Sequence, residues 1–167
     1  TPTAQTPTHS SFTQMTSLLN RLIAKAARHL YLRRHQKAWG AEPQLAVSVS
    51  NLCVELEGRQ VRLRMYHGQS DKPMVIYAHG GGFVIGSLET HDRFCRALSM
   101  ESGCSLVSID YRLAPEYTFP AAHDDCLEAT EWVIENLENL APNNGLFILA
   151  GDSAGGNIAI ASTLALQ

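Results

Sequence analysis

Ser153 stands in the string Gly151-Asp152-Ser153-Ala154-Gly155-Gly156, directly after the apolar run Leu146-Phe147-Ile148-Leu149-Ala150. A G-x-S-x-G turn between a strand and a helix presents a serine hydroxyl as a nucleophile. Glycines two before and two after the serine, here Gly151 and Gly155, let strand and helix pass without Cβ clashes. An acyl-transfer serine also needs N–H donors for the developing oxyanion, one from the residue after it, Ala154, and others from a glycine-rich loop after an earlier strand. His79-Gly80-Gly81-Gly82 supplies such a loop. A G-x-S-x-G pattern arises by chance in a chain of this composition with a probability of roughly 6%, and together with H-G-G-G of about 0.02%, so it is the pair that carries the inference. The competing readings are a serine that merely caps its helix and a phosphate-cradling loop. That loop lacks both the Lys-Ser/Thr ending of a P-loop and the spacing of a dinucleotide site.

These residues have to be brought to one place, and the elements around them predict how. The alternation of Leu45, Val47 and Val49, of Val54 and Leu56, and of Val61, Leu63 and Met65 with polar neighbours has the period of half-exposed antiparallel strands. On their wet face glutamates of one strand can oppose arginines of the next. After a polar turn at residues 69–73, the runs at 74–78, 106–109 and 146–150 are short and nearly all apolar, as in strands buried on both faces of a parallel sheet. Helical periodicity covers about residues 90–102 and 121–140. Strands alternating with helices predict an α/β sheet whose site lies at the carboxyl ends of its strands, where residues 79–83, 110–116 and 151–156 share a rim.

The motifs HGGGF at 79–83, DYRLAPE at 110–116 and GDSAGG at 151–156 resemble the hormone-sensitive-lipase-like family of α/β-hydrolases, in its GDSAG group of short-chain carboxylesterases. The resemblance covers about residues 45–167. It implies an α/β-hydrolase fold, a mostly parallel sheet with antiparallel N-terminal strands and an N-terminal helical cap segment. It implies a serine acyl-enzyme route with Ser153 as nucleophile and the N–H groups of Gly81, Gly82 and Ala154 as oxyanion hole. His79 and Asp152 support the loop, and residues 110–116 form a structural segment. Members of the family continue past the nucleophile helix to an Asp and a His that complete the triad. Between Ala154 and Gln167 there is no His, Asp or Glu. The expectation is therefore an N-terminal half, truncated after the nucleophile helix, with base and acid in a downstream segment. The alternative is an inactive fragment retaining only ligand binding.

His123, next to Asp124 and Asp125, is the strongest substitute base within the chain, but adjacent helical residues point in different directions, so Asp124 is poorly placed to orient it. His91, beside Asp92, is no stronger. The two Asp residues read as favourable charges at a surface helix start. An edge left bare along residues 146–150, with Ile158, Ile160 and Leu164 in water, predicts association with a complementing C-terminal segment or a second copy.

Composition bounds the rest. The 167 residues are 45% hydrophobic and carry 13 Lys/Arg against 16 Asp/Glu. Six of the basic residues and none of the acids fall in residues 1–41, within a predicted amphipathic helix over 14–39. Its Met15, Leu18, Leu19, Leu22, Ile23, Ala26 and Leu30 share a face. A cap helix packed over the catalytic domain is the favoured reading, ahead of a membrane-surface helix or a transit peptide. The division is a tail and cap over residues 1–40, with the Thr/Pro-rich first ten residues flexible, and the N-terminal part of the catalytic domain over 41–167. An acidic main body without a basic aromatic stripe argues against nucleic acid. Cys53, Cys95, Cys104 and Cys126 show no metal-ligand or C-x-x-C spacing, so neither metal nor cofactor is expected, and free thiols suit the cytoplasm.

Overall fold

In the computed structural model the described residues are 9–39, 47–69, 71–141 and 145–167, with side chains in the first span from 13 to 35. Residues 1–8 of the expected flexible tail, Leu45 of the first alternating run and Ser70 of the polar turn lie outside them.

Alternation makes the first two strands, β1 (Val49–Leu56) and β2 (Arg59–Tyr66), an antiparallel hairpin closed at Gly58, whose φ of 69° suits a residue without a Cβ. The register differs from the expected Glu–Arg pairing. Glu55 faces Gln60 and accepts a hydrogen bond from its amide, whereas Arg62 faces Cys53 and Arg64 faces Asn51. The arginines find their carboxylates on other elements rather than along the hairpin. Arg62 reaches Asp110 at 2.5 Å, and Arg64 reaches Asp92 and Glu89 at 3.2 Å.

The apolar runs become β3 (Met74–Ala78), β4 (Ser105–Asp110) and β5 (Phe147–Gly151). The sheet order is β1-β2-β4-β3-β5, with β2 antiparallel to β4 and the last three strands mutually parallel. Helix α2 (Leu88–Ser102) opens with a capping box between Ser87 and Thr90 and closes on Gly103 at φ 72°. The helix expected over 121–140 is two, α3 (Ala121–Glu135) and α4 (Leu137–Leu140). At the break, the Asn136 side chain and backbone N–H both donate to the Trp132 carbonyl, at 2.8 and 3.1 Å. Helix α5 (Ala154–Ala165) follows β5 at once.

Strand periodicity sends alternate side chains to two cores. Leu63, Met65, Ile76, Ala78, Val107 and Ile109 meet Cys126, Ala129 and Val133 of α3 and Ile158 of α5, while Tyr66, Val75, Tyr77 and Leu106 meet Cys95 of α2. This three-layer arrangement bears out the α/β expectation. Ile158 corrects one detail: it is buried, because it lies on the face of α5 turned to the sheet, while Ile160 and Leu164 are exposed.

The N-terminal helix α1 (His9–Trp39) starts earlier than its pattern suggested. Its apolar stripe does not face the rest of the chain: Met15, Leu18, Leu19, Leu22, Ile23 and Leu30 are all more than half exposed. Ala24, Arg28, Tyr31 and His35, spaced at i, i+4, i+7 and i+11, lie on another face: Ala24 is buried, Arg28 bonds to the Val84 and Ala114 carbonyls, and His35, against Tyr31, meets the His91 ring. Apolar periodicity identified the helix but pointed to the wrong face for docking. The docking face uses hydrogen bonds and ring contacts that a hydropathy pattern does not register.

Candidate functional site

Ala78 lies level with Ile109 on one side and Gly151 on the other, so the residues following β3, β4 and β5 emerge together at the carboxyl ends of three parallel strands. Ser153 sits where β5 turns into α5, exposed, with φ 51° and ψ −115°. A non-glycine residue in that region is strained. The turn is tight because the backbones nearly touch: a Cβ on Gly155 would overlap the Ala78 carbonyl oxygen, and one on Gly151 would overlap the Gly155 backbone. Ser153 occupies the helix-cap position, yet its hydroxyl makes no capping bond.

The glycine loop is laid against this turn by Asp152. Its Oδ1 accepts hydrogen bonds from the Gly80 N–H at 2.7 Å and from the Tyr77 hydroxyl at 2.6 Å. A Cβ on Gly80 would occupy the space of that carboxylate. Beyond Gly80 the chain takes three consecutive positive φ angles, 129° at Gly81, 59° at Gly82 and 63° at Phe83. The Gly81 carbonyl accepts from the N–H groups of both Val84 and Ile85, at 3.1 and 3.0 Å. The N–H groups of Gly81, Gly82 and Ala154 donate to no backbone carbonyl in the loops, turns and caps of the described residues. Free donors of this kind are what a developing oxyanion requires.

His79 is fully buried. Its Nδ1 lies 2.8 Å from the Gly80 carbonyl, so the ring donates there, and it stacks on Tyr111 at 4.2 Å and on His91 at 5.3 Å between centroids. The Tyr111 hydroxyl in turn donates to the His79 carbonyl at 2.6 Å. Burial pulls the His79 imidazole down to about 4, so the ring is neutral at pH 7. His91 is also buried and lowered by desolvation, with the carboxylate of Asp152, 3.6 Å away, acting in the opposite sense. Burial, and then Asp152, raise the Tyr77 phenol well above its ordinary range.

His123 lies on the same rim, against Phe83 and Phe119, and its Nε2 is 3.0 Å from Asn157 Oδ1. That contact spends the nitrogen on the first turn of α5 rather than on Ser153. Asp124 is exposed. Asp125 departs from the surface-charge expectation, being wholly buried between Arg59, at 2.6 Å, and Arg112, at 2.7 Å, while accepting the Arg112 N–H at 2.8 Å. Burial raises its affinity for a proton, but the bonds from Arg112 and Arg59 outweigh this and hold the carboxyl below its ordinary value. It thereby fixes the start of the segment at 110–116. Sequence reasoning also missed Arg28, whose guanidinium reaches the Val84 and Ala114 carbonyls and Glu116. Neither residue belongs to a local motif; each meets partners far along the chain.

Among the described residues no group of three His, Cys, Asp or Glu side chains is placed to hold a metal ion, and no helix is long and apolar enough to cross a membrane.

This arrangement matches a family model described as alpha/beta hydrolase fold over residues 75–167. The chain belongs to the α/β-hydrolase family. The relatives it matches are named esterases and lipases, in keeping with the hormone-sensitive-lipase-like group that the three motifs resemble. It is 50% identical over 91 residues to Esterase LipI of Mycobacterium tuberculosis, a match covering 54% of this chain and 28% of that protein. It is 38% identical over 118 residues to an ethyl acetate hydrolase of Pseudomonas putida, covering 66% of this chain and 37% of the relative. The solved esterase of Pyrobaculum calidifontis superposes with a TM-score of 0.76 at 40% identity, over 85% of this α/β-hydrolase chain and 47% of the other. The chain thus spans less than half the length of each of these relatives.

Proposed function

We propose that this α/β-hydrolase cleaves carboxylic esters with short acyl chains through a serine acyl-enzyme. The observation that carries the reading is the Asp152 carboxylate at 2.7 Å from the Gly80 N–H, which ties the Ser153 turn to the glycine loop. Nucleophile and donors are thereby preorganised with respect to each other, which is the condition for electrostatic stabilisation of a tetrahedral intermediate. The esterase names of the relatives support the same reaction class.

In the proposed cycle, the Ser153 Oγ attacks the ester carbonyl carbon while an imidazole takes its proton. The negative oxygen is held by the N–H groups of Gly81, Gly82 and Ala154. The intermediate collapses with loss of the alcohol, which receives that proton, and water then releases the acid by the same steps in the second half-reaction. His79 and His91 are buried and His123 is engaged with Asn157, so the imidazole and its carboxylate partner are assigned to a segment outside the 167 residues. The greater length of the relatives supports that assignment. Neutral His79 holds the loop through the Gly80 carbonyl and takes no proton from Ser153.

A fluorophosphonate probe followed by peptide mass spectrometry tests the reading. Ser153 is expected to carry the phosphonyl group, with fluoride as the leaving group. Labelling that persists at another serine in Ser153→Ala would remove Ser153 from the role.

A further inference from the structure

We infer that Arg28 is a positioning residue through which helix α1 holds the glycine loop in shape, an inference that rests on the reading of that loop as the oxyanion site. The guanidinium donates from Nε to the Val84 carbonyl at 2.7 Å and from Nη2 to the Ala114 carbonyl at 2.6 Å. It also forms a two-pronged pair with Glu116, Nη1 to Oε1 at 3.1 Å and Nη2 to Oε2 at 2.7 Å. The side chains of Arg28 and Glu116 are only 25% and 21% exposed. The bond from Arg28 draws Glu116 below its ordinary carboxyl value.

The acceptors are what give the fork its meaning. Val84 follows the three positive-φ residues, and its own N–H closes back on Gly81. Ala114 donates its N–H to the Phe83 carbonyl at 2.8 Å. Arg28 therefore clamps the far end of the loop and the segment that braces it, one carbonyl from each, and Glu116 orients the clamp. Phe83 at φ 63° is strained, and a strained backbone persists only where its surroundings hold it. At the near end, Asp152 holds Gly80. The donor peptides at Gly81 and Gly82 are thus suspended between two anchors, one on the nucleophile turn and one on α1. An ion pair that served only to dock the helix would need Glu116 alone. The two backbone carbonyls require the planar fork of arginine, which a lysine ammonium does not reproduce.

The test compares Arg28→Met, Arg28→Lys and Glu116→Gln with the wild-type protein, each made in the longer chain that includes the segment to which the imidazole is assigned. It follows p-nitrophenyl acetate hydrolysis and, separately, amide hydrogen exchange over residues 81–85. Arg28→Met is expected to lower kcat by roughly 10- to 100-fold, the scale of a small misplacement of catalytic groups, with KM changed by less than about threefold and faster exchange in the loop. Arg28→Lys, with one donor head in place of the fork, is expected to recover only part of kcat. Glu116→Gln keeps both carbonyl bonds and is expected to lose less than either. The two conservative variants also separate loop loosening from general unfolding. Exchange over 81–85 unchanged in Arg28→Met would overturn the inference, as would a KM effect at constant kcat or full rescue by lysine. Undiminished turnover in Ser153→Ala would instead overturn the serine reading, while the exchange measurement would still decide whether Arg28 holds the loop.

Discussion

Strands β3 and β5 lie side by side in parallel register from Met74 opposite Phe147 to Ala78 opposite Gly151, and both are almost wholly apolar, yet they live in different surroundings. Every residue of β3 is buried, whereas Phe147 and Ile148 are 39% and 48% exposed. The residues that follow repeat the contrast: His79 is fully buried and the Asp152 side chain is half exposed. Within these 167 residues the difference follows the sheet order: β3 lies between β4 and β5, whereas β5 pairs with β3 alone among the described strands. At the rim the two strands converge again, because Gly151 and Gly155 bring the turn against Ala78.

The largest effect that tests this contrast is expected in the β3 core. Ile76→Ala removes a side chain that is 2% exposed and should destabilise the 167-residue chain by about 3 to 4 kcal/mol in denaturant unfolding, through lost burial and a residual cavity. Gly155→Ala comes next, at about 3 kcal/mol, because the added methyl meets the Ala78 carbonyl and backbone has to move. A wild-type midpoint for Gly155→Ala would show that α5 does not cross the end of β3 at the observed distance.

A third measurement uses pH. His79 binds its proton at about 4 in the folded chain against an ordinary value of 6.5, so between those values the unfolded chain holds more protons. Its contribution is present above about 6.5 and is lost as pH falls toward 4, amounting to about 2 kcal/mol between pH 7 and pH 5. The lowered value of His91 acts in the same direction. Unfolding midpoints at the two pH values check this, and a flat profile would contradict the burial of His79. The smallest effect is expected at Ile148→Ala, below about 1 kcal/mol, because that side chain is half in water. A loss at Ile148 as large as that at Ile76 would erase the contrast and reveal a layer covering β5.

How much of this was legible in the residues follows from the same distinction. Strand periodicity, the buried runs and the glycines of HGGGF and GDSAGG are local signals, and they placed the hairpin, the parallel strands and the loops that share a rim. The docking face of α1 was not legible, because it works through Arg28 and ring contacts and leaves the apolar stripe exposed. Asp125 has the sequence surroundings of a surface charge, since nothing beside it reveals its pairing with Arg59 of β2. The arginines of β2 were assigned to hairpin glutamates because the insertion of β4 between β2 and β3, which brings Asp110 to Arg62, is a property of topology. Interactions between residues far apart in the chain carry no period, and those are the ones that escaped.

The proposed function makes Ser153 the attacking group of an ester hydrolase. Steady-state p-nitrophenyl acetate turnover by Ser153→Ala, set against the wild-type protein with the segment that supplies the imidazole and with circular dichroism confirming the wild-type fold, addresses it most directly. The expected fall in kcat is roughly 10⁴-fold or more, the scale of losing a serine nucleophile. A variant turning over within about tenfold of wild type, a loss far below that scale, would contradict it.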